Sequence, residues 1–269
     1  MNKLETKNKL EKPNLTPKSL IPDYLEPFFV GLFDGDGSLH INQTKHAKNK
    51  KGLSYPVAQI SLKNVAQNVS MLLLIANHFG GGLTYEKKTD KVVWAANSQS
   101  SIKKIFNVFK RYPLLTSRKI CQLNHVQACL KNRTWLYHKE TRDLKYKNQS
   151  EYLKKLNADF EIPSYFPAWI SGFFEAEGCF GSTHALRVYI SQNDDWYLLN
   201  AIKAYFSSHH KLGLHKDARS DAKHYRLSMS GKPVLKNIIA HFKTYPLFGA
   251  KTLSFARLRL KFVQKSYVS

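Results

Sequence analysis

The stretch Pro27 to Gly37 reads PFFVGLFDGDG, and an altered copy, PAWISGFFEAEG, runs from Pro167 to Gly178. Aligned on their glycines, Gly31 meets Gly172 and Asp36 meets Glu177, about half the chain apart. An internal duplication dictates architecture, because each copy builds the same unit and the two units then pack. Each copy reads as a helix: Phe28 and Leu32, Phe29 and Phe33, Trp169 and Phe173, and Ile170 and Phe174 all stand at i, i+4 spacing. Pro27 and Pro167 suit a first turn, and Gly37 and Gly178 suit a stop. Gly31 and Gly35 set small residues four apart on one face, and Gly172 and Ala176 repeat the device. The two helices are therefore expected to pack closely on each other.

Asp34, Asp36, Glu175 and Glu177 fall in the last turns of these helices. The macrodipole is negative there, so each carboxylate costs roughly 0.3–1 kcal/mol, and carboxylates brought together repel further. Both copies accept these costs at matching positions. A cation shared by the two helices would offset them, and hard oxygen ligands with room for water suit Mg²⁺. Asp36 and Glu177, adjacent across the helix pair, would then form a two-fold acidic pocket suited to phosphodiester hydrolysis.

The 269 residues carry a net charge of +23, which points to a polyanion partner, nucleic acid first. No apolar run approaches the ~20 residues of a spanning helix, so no membrane partner is expected. Lysines far outnumber arginines, and asparagine is frequent. AT-rich coding gives that bias, which favours an organellar genome, the mitochondrion ahead of the chloroplast. The three cysteines are Cys121, Cys129 and Cys179. With no Cys-x-x-Cys and no evident Cys/His ligand spacing, a structural zinc site is not expected.

Periodicity then orders the chain. Residues 1–20 read as a basic flexible tail, 21–131 as the first repeat, 132–164 as a polar linker with some helical pattern near Glu151–Leu156, and 165–269 as the second repeat. Each repeat reads helix, two strands, helix, two strands, helix, helix. In the first, Leu39 and Ile41 oppose Ser38, His40 and Asn42. Ala58, Ile60 and Leu62 oppose Val57, Gln59, Ser61 and Lys63. Lys45 to Lys51 reads as a basic turn able to lie on phosphates. In the second repeat a strand is expected over Cys179–His184, and Arg187, Tyr189, Ser191 and Asn193 share a face, as do His224, Arg226 and Ser228. A sheet with one apolar face packs helices on that side alone and leaves the other free. Arg, Lys, Gln and Asn on a free face are the side chains that read base edges in the major groove.

The segments VGLFDGDG and SGFFEAEG resemble the two signature motifs of the double-motif LAGLIDADG homing endonucleases, over roughly residues 20–265. The resemblance implies an α+β fold of two pseudo-symmetric αββαββα repeats, with the motif helices at their interface and two antiparallel sheets forming a DNA-binding saddle. It implies a monomer that cuts both strands of a long specific DNA site. Asp36 and Glu177 become metal ligands, assisted by the carbonyls of Gly35 and Ala176. Two or three Mg²⁺ ions are expected, with Mn²⁺ substituting and Ca²⁺ binding without supporting cleavage. Family members often carry a polar residue ending the second strand and a cation on the late helix. Gln192 fits the first, and Leu62 stands where its partner would be. Lys251 fits the second; Arg118 aligns with it, and Lys119 is adjacent. Two other classes remain open on the same scaffold: an intron RNA maturase, since positive charge serves RNA as well as DNA, and a non-catalytic DNA-binding regulator.

Overall fold

The structure, a computed structural model, describes residues 22–43, 54–132, 135–183, 185–216 and 223–268. The tail over 1–20 and the basic turn over 45–51 lie outside the described residues.

Helix α1 (Leu25–Asp36) leads into β1 (Gly37–Gln43) and β2 (Ser54–Lys63), then α2 (Ala66–Phe79), β3 (Gly82–Glu86), β4 (Lys91–Ala96), α3 (Gln99–Arg111) and α4 (Ser117–Asn132). The stretch read as a linker holds α5 (Trp135–Thr141), a 3-10 turn (Arg142–Leu144) and α6 (Gln149–Ala158). The pattern then repeats as α7 (Phe166–Glu177), β5 (Cys179–Gly181), β6 (Arg187–Asn193), α8 (Trp196–Tyr205), β7 (Leu212–Lys216), β8 (Lys223–Ser230), α9 (Lys232–Thr244) and α10 (Lys251–Val268). Two antiparallel four-stranded sheets result, in the orders β1-β2-β4-β3 and β5-β6-β8-β7. The expected strand over Cys179–His184 is shorter: pairing with β6 ends at Gly181 opposite Arg187.

Alternation fixes which face each sheet buries. Leu39, Ile41, Ala58, Ile60, Val92 and Trp94 point into the first core, and Phe180, Val188, Ile190, Leu227 and Met229 into the second. Val57, expected on the free face, is buried instead. Its strand partner is His40, whose imidazole interacts with the charge of Lys145 and with His138. Linker residues therefore stand near this corner of the sheet.

The cores meet at α1 and α7. A Cβ on Gly31 would stand 2.0 Å from the carbonyl oxygen of Trp169, and one on Gly172 would stand 1.8 Å from that of Phe28. Only glycine lets the backbones approach this far. Phe29, Phe33, Phe79, Trp94 and Phe109 pack around α1, and Phe174, Phe180, Phe206 and Phe242 around α7. Reciprocal bonds tie the halves. Tyr24 donates its hydroxyl to the Pro246 carbonyl at 2.9 Å, and Tyr165 does the same to Pro113 at 2.5 Å. The linker folds back along α4: Gln122 donates to the Tyr146 hydroxyl at 3.0 Å and Asn124 to that of Tyr152 at 2.8 Å.

Candidate active site

The four motif acids divide into two classes: the first acid of each motif is spent on a helix start, and the last is not. Asp34 is 3% exposed and saturated. It accepts the backbone N–H of Leu115 at 2.8 Å and of Thr116 at 3.0 Å, the Thr116 hydroxyl at 2.7 Å, and the Trp169 indole N–H at 2.8 Å. Glu175 is likewise buried and accepts the N–H groups of Gly249 and Lys251, both at 3.0 Å. Each first acid thus sits at the end of its own helix and at the start of another, α4 or α10. The orphan N–H groups and positive dipole end of the second helix outweigh the negative end of the first. Burial raises both pKa values, and these donors oppose the rise.

The last acids are different. Among the described residues, no side chain or backbone N–H donates a hydrogen bond to Asp36 or Glu177. Asp36 is exposed and Glu177 half-buried. The two helix ends converge: a Cβ on Gly35 would meet the Ala176 Cβ at 2.3 Å and Glu177 Oε1 at 3.4 Å. Burial and the nearby Asp36 charge push Glu177 up to about 7, while Lys119 and Lys251 pull it down. Asp36, exposed as a residue, is also raised by desolvation of its carboxyl among the surrounding protein atoms, against Lys251, Lys119 and Lys91. Two carboxylates with free acceptor capacity, both disfavoured in their charged forms by burial and Glu177 further by the Asp36 charge, fit a divalent cation. Gly35 and Ala176 stand at the same helix crossing.

A cleft of about 260 Å³ opens here, lined by Gly35, Glu177, Arg118, Lys119, Gln192 and Asn193 among others. Helix starts supply two cations whose charge reaches both acids. Lys251 is the first residue of α10. Lys119 lies in the first turn of α4; burial lowers its pKa, while Asp34, Asp36 and Glu177 raise it. Arg118 lines the cleft as well, with its guanidinium 4.6 Å from the Tyr146 ring centroid, but the charges that act on Asp36 and Glu177 from α4 are those of Lys119. Gln192 donates to Asp195 at 3.1 Å, and Asp195 in turn accepts the Ser117 N–H at 3.1 Å, across the repeat boundary. On the other side Asn68 accepts the Ala250 N–H at 2.9 Å. Each late helix is therefore capped by residues of both repeats.

The free sheet faces carry the expected side chains in register. Ser38 is opposite Gln59, and Lys63 lies opposite Lys91. Arg187, Tyr189, Ser191 and Asn193 pair with Ser230, Ser228, Arg226 and His224. His224 and Asn193 are joined at 2.8 Å, and the Arg226 guanidinium stacks over Tyr189 at 4.3 Å. Asn42, Lys63, Arg187, Asn193 and Arg226 are exposed, and Gln59, Ser61, Tyr189, Ser191, His224 and Ser228 are half-buried. His40 is half-buried too, and the Ser38 hydroxyl lies 3.4 Å from its Nδ1.

Two features escape a reading of sequence alone. Lys91, which opens β4, interacts with Asp36; the β2–β4 register would have pointed to it. The second is a cluster. His125 and Cys129 on α4 meet His138 on α5, with donor atoms all within 4.8 Å of one another. The i, i+4 spacing of His125 and Cys129 was the available signal. The expectation that no Cys/His ligand set exists fails in space, because the third member comes from the linker.

Residues 29–129 and 170–260 match the LAGLIDADG endonuclease family. The chain is 34% identical over 263 residues to the "Probable intron-encoded endonuclease aI3" of Debaryomyces hansenii, covering 85% of this chain and 37% of that protein. It is 33% identical to the protein of the same name in Dictyostelium citrinum, covering 93% of this chain and 98% of that one. The crystal structure of the I-LtrWI LAGLIDADG homing endonuclease bound to target DNA superimposes with a TM-score of 0.68 at 21% identity, covering 91% of each chain.

Proposed function

Since the chain belongs to the LAGLIDADG endonuclease family, we propose that it is a monomeric, site-specific endonuclease that cuts both strands of a long DNA target, using divalent cations held between Asp36 and Glu177. The observation that carries this reading is the contrast between the motif acids. Asp34 and Glu175 spend their acceptors on helix starts, whereas Asp36 and Glu177 converge with theirs unused. When bound, cations there would acidify water and neutralise charge on the leaving 3′ oxygen. Mg²⁺, two or three ions, is the proposed cofactor, with Mn²⁺ able to substitute and Ca²⁺ able to bind without supporting cleavage. The carbonyls of Gly35 and Ala176 complete the proposed ligand set.

The chain's own groups do the rest. Lys119 and Lys251, each within reach of both acids' fields, hold positive charge where phosphate negative charge grows. Of the two neighbouring cations on α4, Lys119 is assigned this role, because the Arg118 guanidinium is engaged with Tyr146. Gln192, on a polar rim, positions water in its half; Leu62 gives the other half no equivalent. The free sheet faces lie against the major groove, with Gln59, Lys63, Arg187, Asn193 and Arg226 directed at base edges and phosphates. One chain contains both motif helices, so no second copy is needed. The lysine- and asparagine-rich coding supports an origin in an organelle, the mitochondrion first, and the names of the intron-encoded relatives support an intron-borne one.

The test is a cleavage screen on a library of intron-junction and randomised DNA with Mg²⁺, and Ca²⁺ in parallel. Discrete double-strand breaks that need Mg²⁺ are expected, abolished in Asp36→Asn with Glu177→Gln while binding survives. Tight binding without cuts would replace this reading with a DNA-binding regulator. Binding to folded intron RNA alone would replace it with a maturase.

A further inference from the structure

We propose that His125, Cys129 and His138 form a binding site for a borderline transition-metal ion, Zn²⁺ foremost, which clasps the linker to the first repeat. His125 Nε2 lies 3.2 Å from His138 Nδ1, and the Cys129 sulfur lies 3.5 Å from the first and 3.8 Å from the second. Zinc–nitrogen bonds of ~2.0–2.1 Å and a zinc–sulfur bond of ~2.3 Å, set at tetrahedral angles, put two nitrogens about 3.3 Å apart and nitrogen and sulfur about 3.6 Å apart. The cluster already has the edges of that tetrahedron. A proton shared between the two imidazoles satisfies two of the three atoms, whereas a metal ion satisfies all three.

The surroundings agree. Cys129 and His138 are buried and His125 is half-buried. Burial favours the neutral imidazoles that bind metal. The side chain of His125 also lines a cleft of about 200 Å³ between α4 and the linker, which gives water access to the fourth position. Arg142 and Lys145 stand near His138 and oppose a dication; the thiolate that Cys129 becomes on binding offsets part of that charge. The site is distinct from Asp36 and Glu177 in place and in chemistry, since it offers sulfur and imidazole where they offer oxygen. It holds α5 against the helix whose other end carries Lys119, and so fixes the linker along α4.

The experiment uses the full chain, purified without chelator, with its metal content measured and then replaced by Co²⁺. One zinc per chain is expected. Co²⁺ should give a thiolate-to-metal charge-transfer band, which an all-oxygen site cannot produce. The band should vanish in Cys129→Ser and persist in Cys121→Ser and Cys179→Ser. His138→Gln, which changes only the linker side, should also lose it, and added Zn²⁺ should raise the unfolding midpoint of the wild type but not of this variant. No band in the wild type, or an unchanged band in either Cys129→Ser or His138→Gln, overturns the proposal. Cleavage of DNA is not the readout, so failure here leaves the endonuclease assignment standing.

Discussion

Asp34 and Asp36 are two residues apart in one motif, yet removing them should have opposite consequences for stability. In Asp34→Ala, four buried donors lose their acceptor: the N–H groups of Leu115 and Thr116, the Thr116 hydroxyl and the Trp169 indole. A buried donor left unpaired costs about 1–3 kcal/mol, and the low end for each of the four gives about 4 kcal/mol. That is a large part of the 5–15 kcal/mol typical of a folded domain. At roughly 2–4 °C per kcal/mol for a chain of this size, the unfolding midpoint should fall by about 10 °C. Asp36→Asn removes no hydrogen bond among the described residues and relieves the repulsion on Glu177. Its metal-free stability should stay within about 0.5 kcal/mol of the wild type or rise. Thermal and urea unfolding in EDTA, with DNA cleavage measured beside them, separates the cases. Asp34→Ala should lose stability, and Asp36→Asn should lose cleavage alone. If both variants unfold at the same temperature, the division of the motif into a capping acid and a metal-binding acid is wrong.

The helix crossing gives a second test. Gly31→Ala or Gly172→Ala sets a methyl within 2.0 Å or less of a backbone oxygen on the other helix. Neither backbone can yield locally, so a loss of at least ~3 kcal/mol or failure to yield soluble protein is expected. Gly82→Ala, where nothing lies within 4 Å, serves as the control and should be near-neutral; a tolerated Gly31→Ala would refute the close contact. Glu177, pushed up to about 7, makes metal binding depend on pH. Its neutral form favours the metal-free fold, so that contribution is present below its unfolded value and is lost as pH rises through about 7. Cation affinity runs the other way. Ca²⁺ affinity, read by calorimetry, should rise about tenfold from pH 6 to pH 8 with proton uptake by the buffer; a flat profile would remove Glu177 from the ligand set. Lys119→Met should slow single-turnover cleavage by at least about tenfold with DNA affinity little changed, while Arg118→Met should act mainly on binding. Each strand labelled separately should show unequal rates, because Gln192 has Leu62 as its counterpart. Equal strand rates would dismiss that asymmetry.

Much was legible before any coordinates. The duplicated motif, its i, i+4 apolar pairs and its small residues four apart required two helices in close contact, since a side chain at Gly31 or Gly172 has no room there. Alternation separated the faces of the first two strands, with Leu39, Ile41, Ala58 and Ile60 inward, because period two admits one register with the apolar side inward. Net charge pointed to a polyanion partner.

What local pattern could not show were contacts between residues far apart in the chain. Asp34 and Asp36 carry the same carboxylate in the same turn, and only the arrival of the α4 start at Asp34 gives them different work. Lys119 and Arg118 are neighbours lining one cleft, and only in space does Lys119 come to act on both acids while the Arg118 guanidinium stacks on Tyr146. Val57 stands on the face that alternation leaves free and is buried all the same, which the pattern within its strand does not show. His138 meets His125 and Cys129 because the linker folds back along α4. The sequence by itself determined the repeated unit, its elements and its charge, all set by short-range periodicity and composition. The tertiary structure alone decided which acid caps a helix, which of two neighbouring cations acts on both acids and which side chains share a metal-sized space. Those outcomes depend on where separate helices end relative to one another, and packing sets that, not the pattern within any one helix.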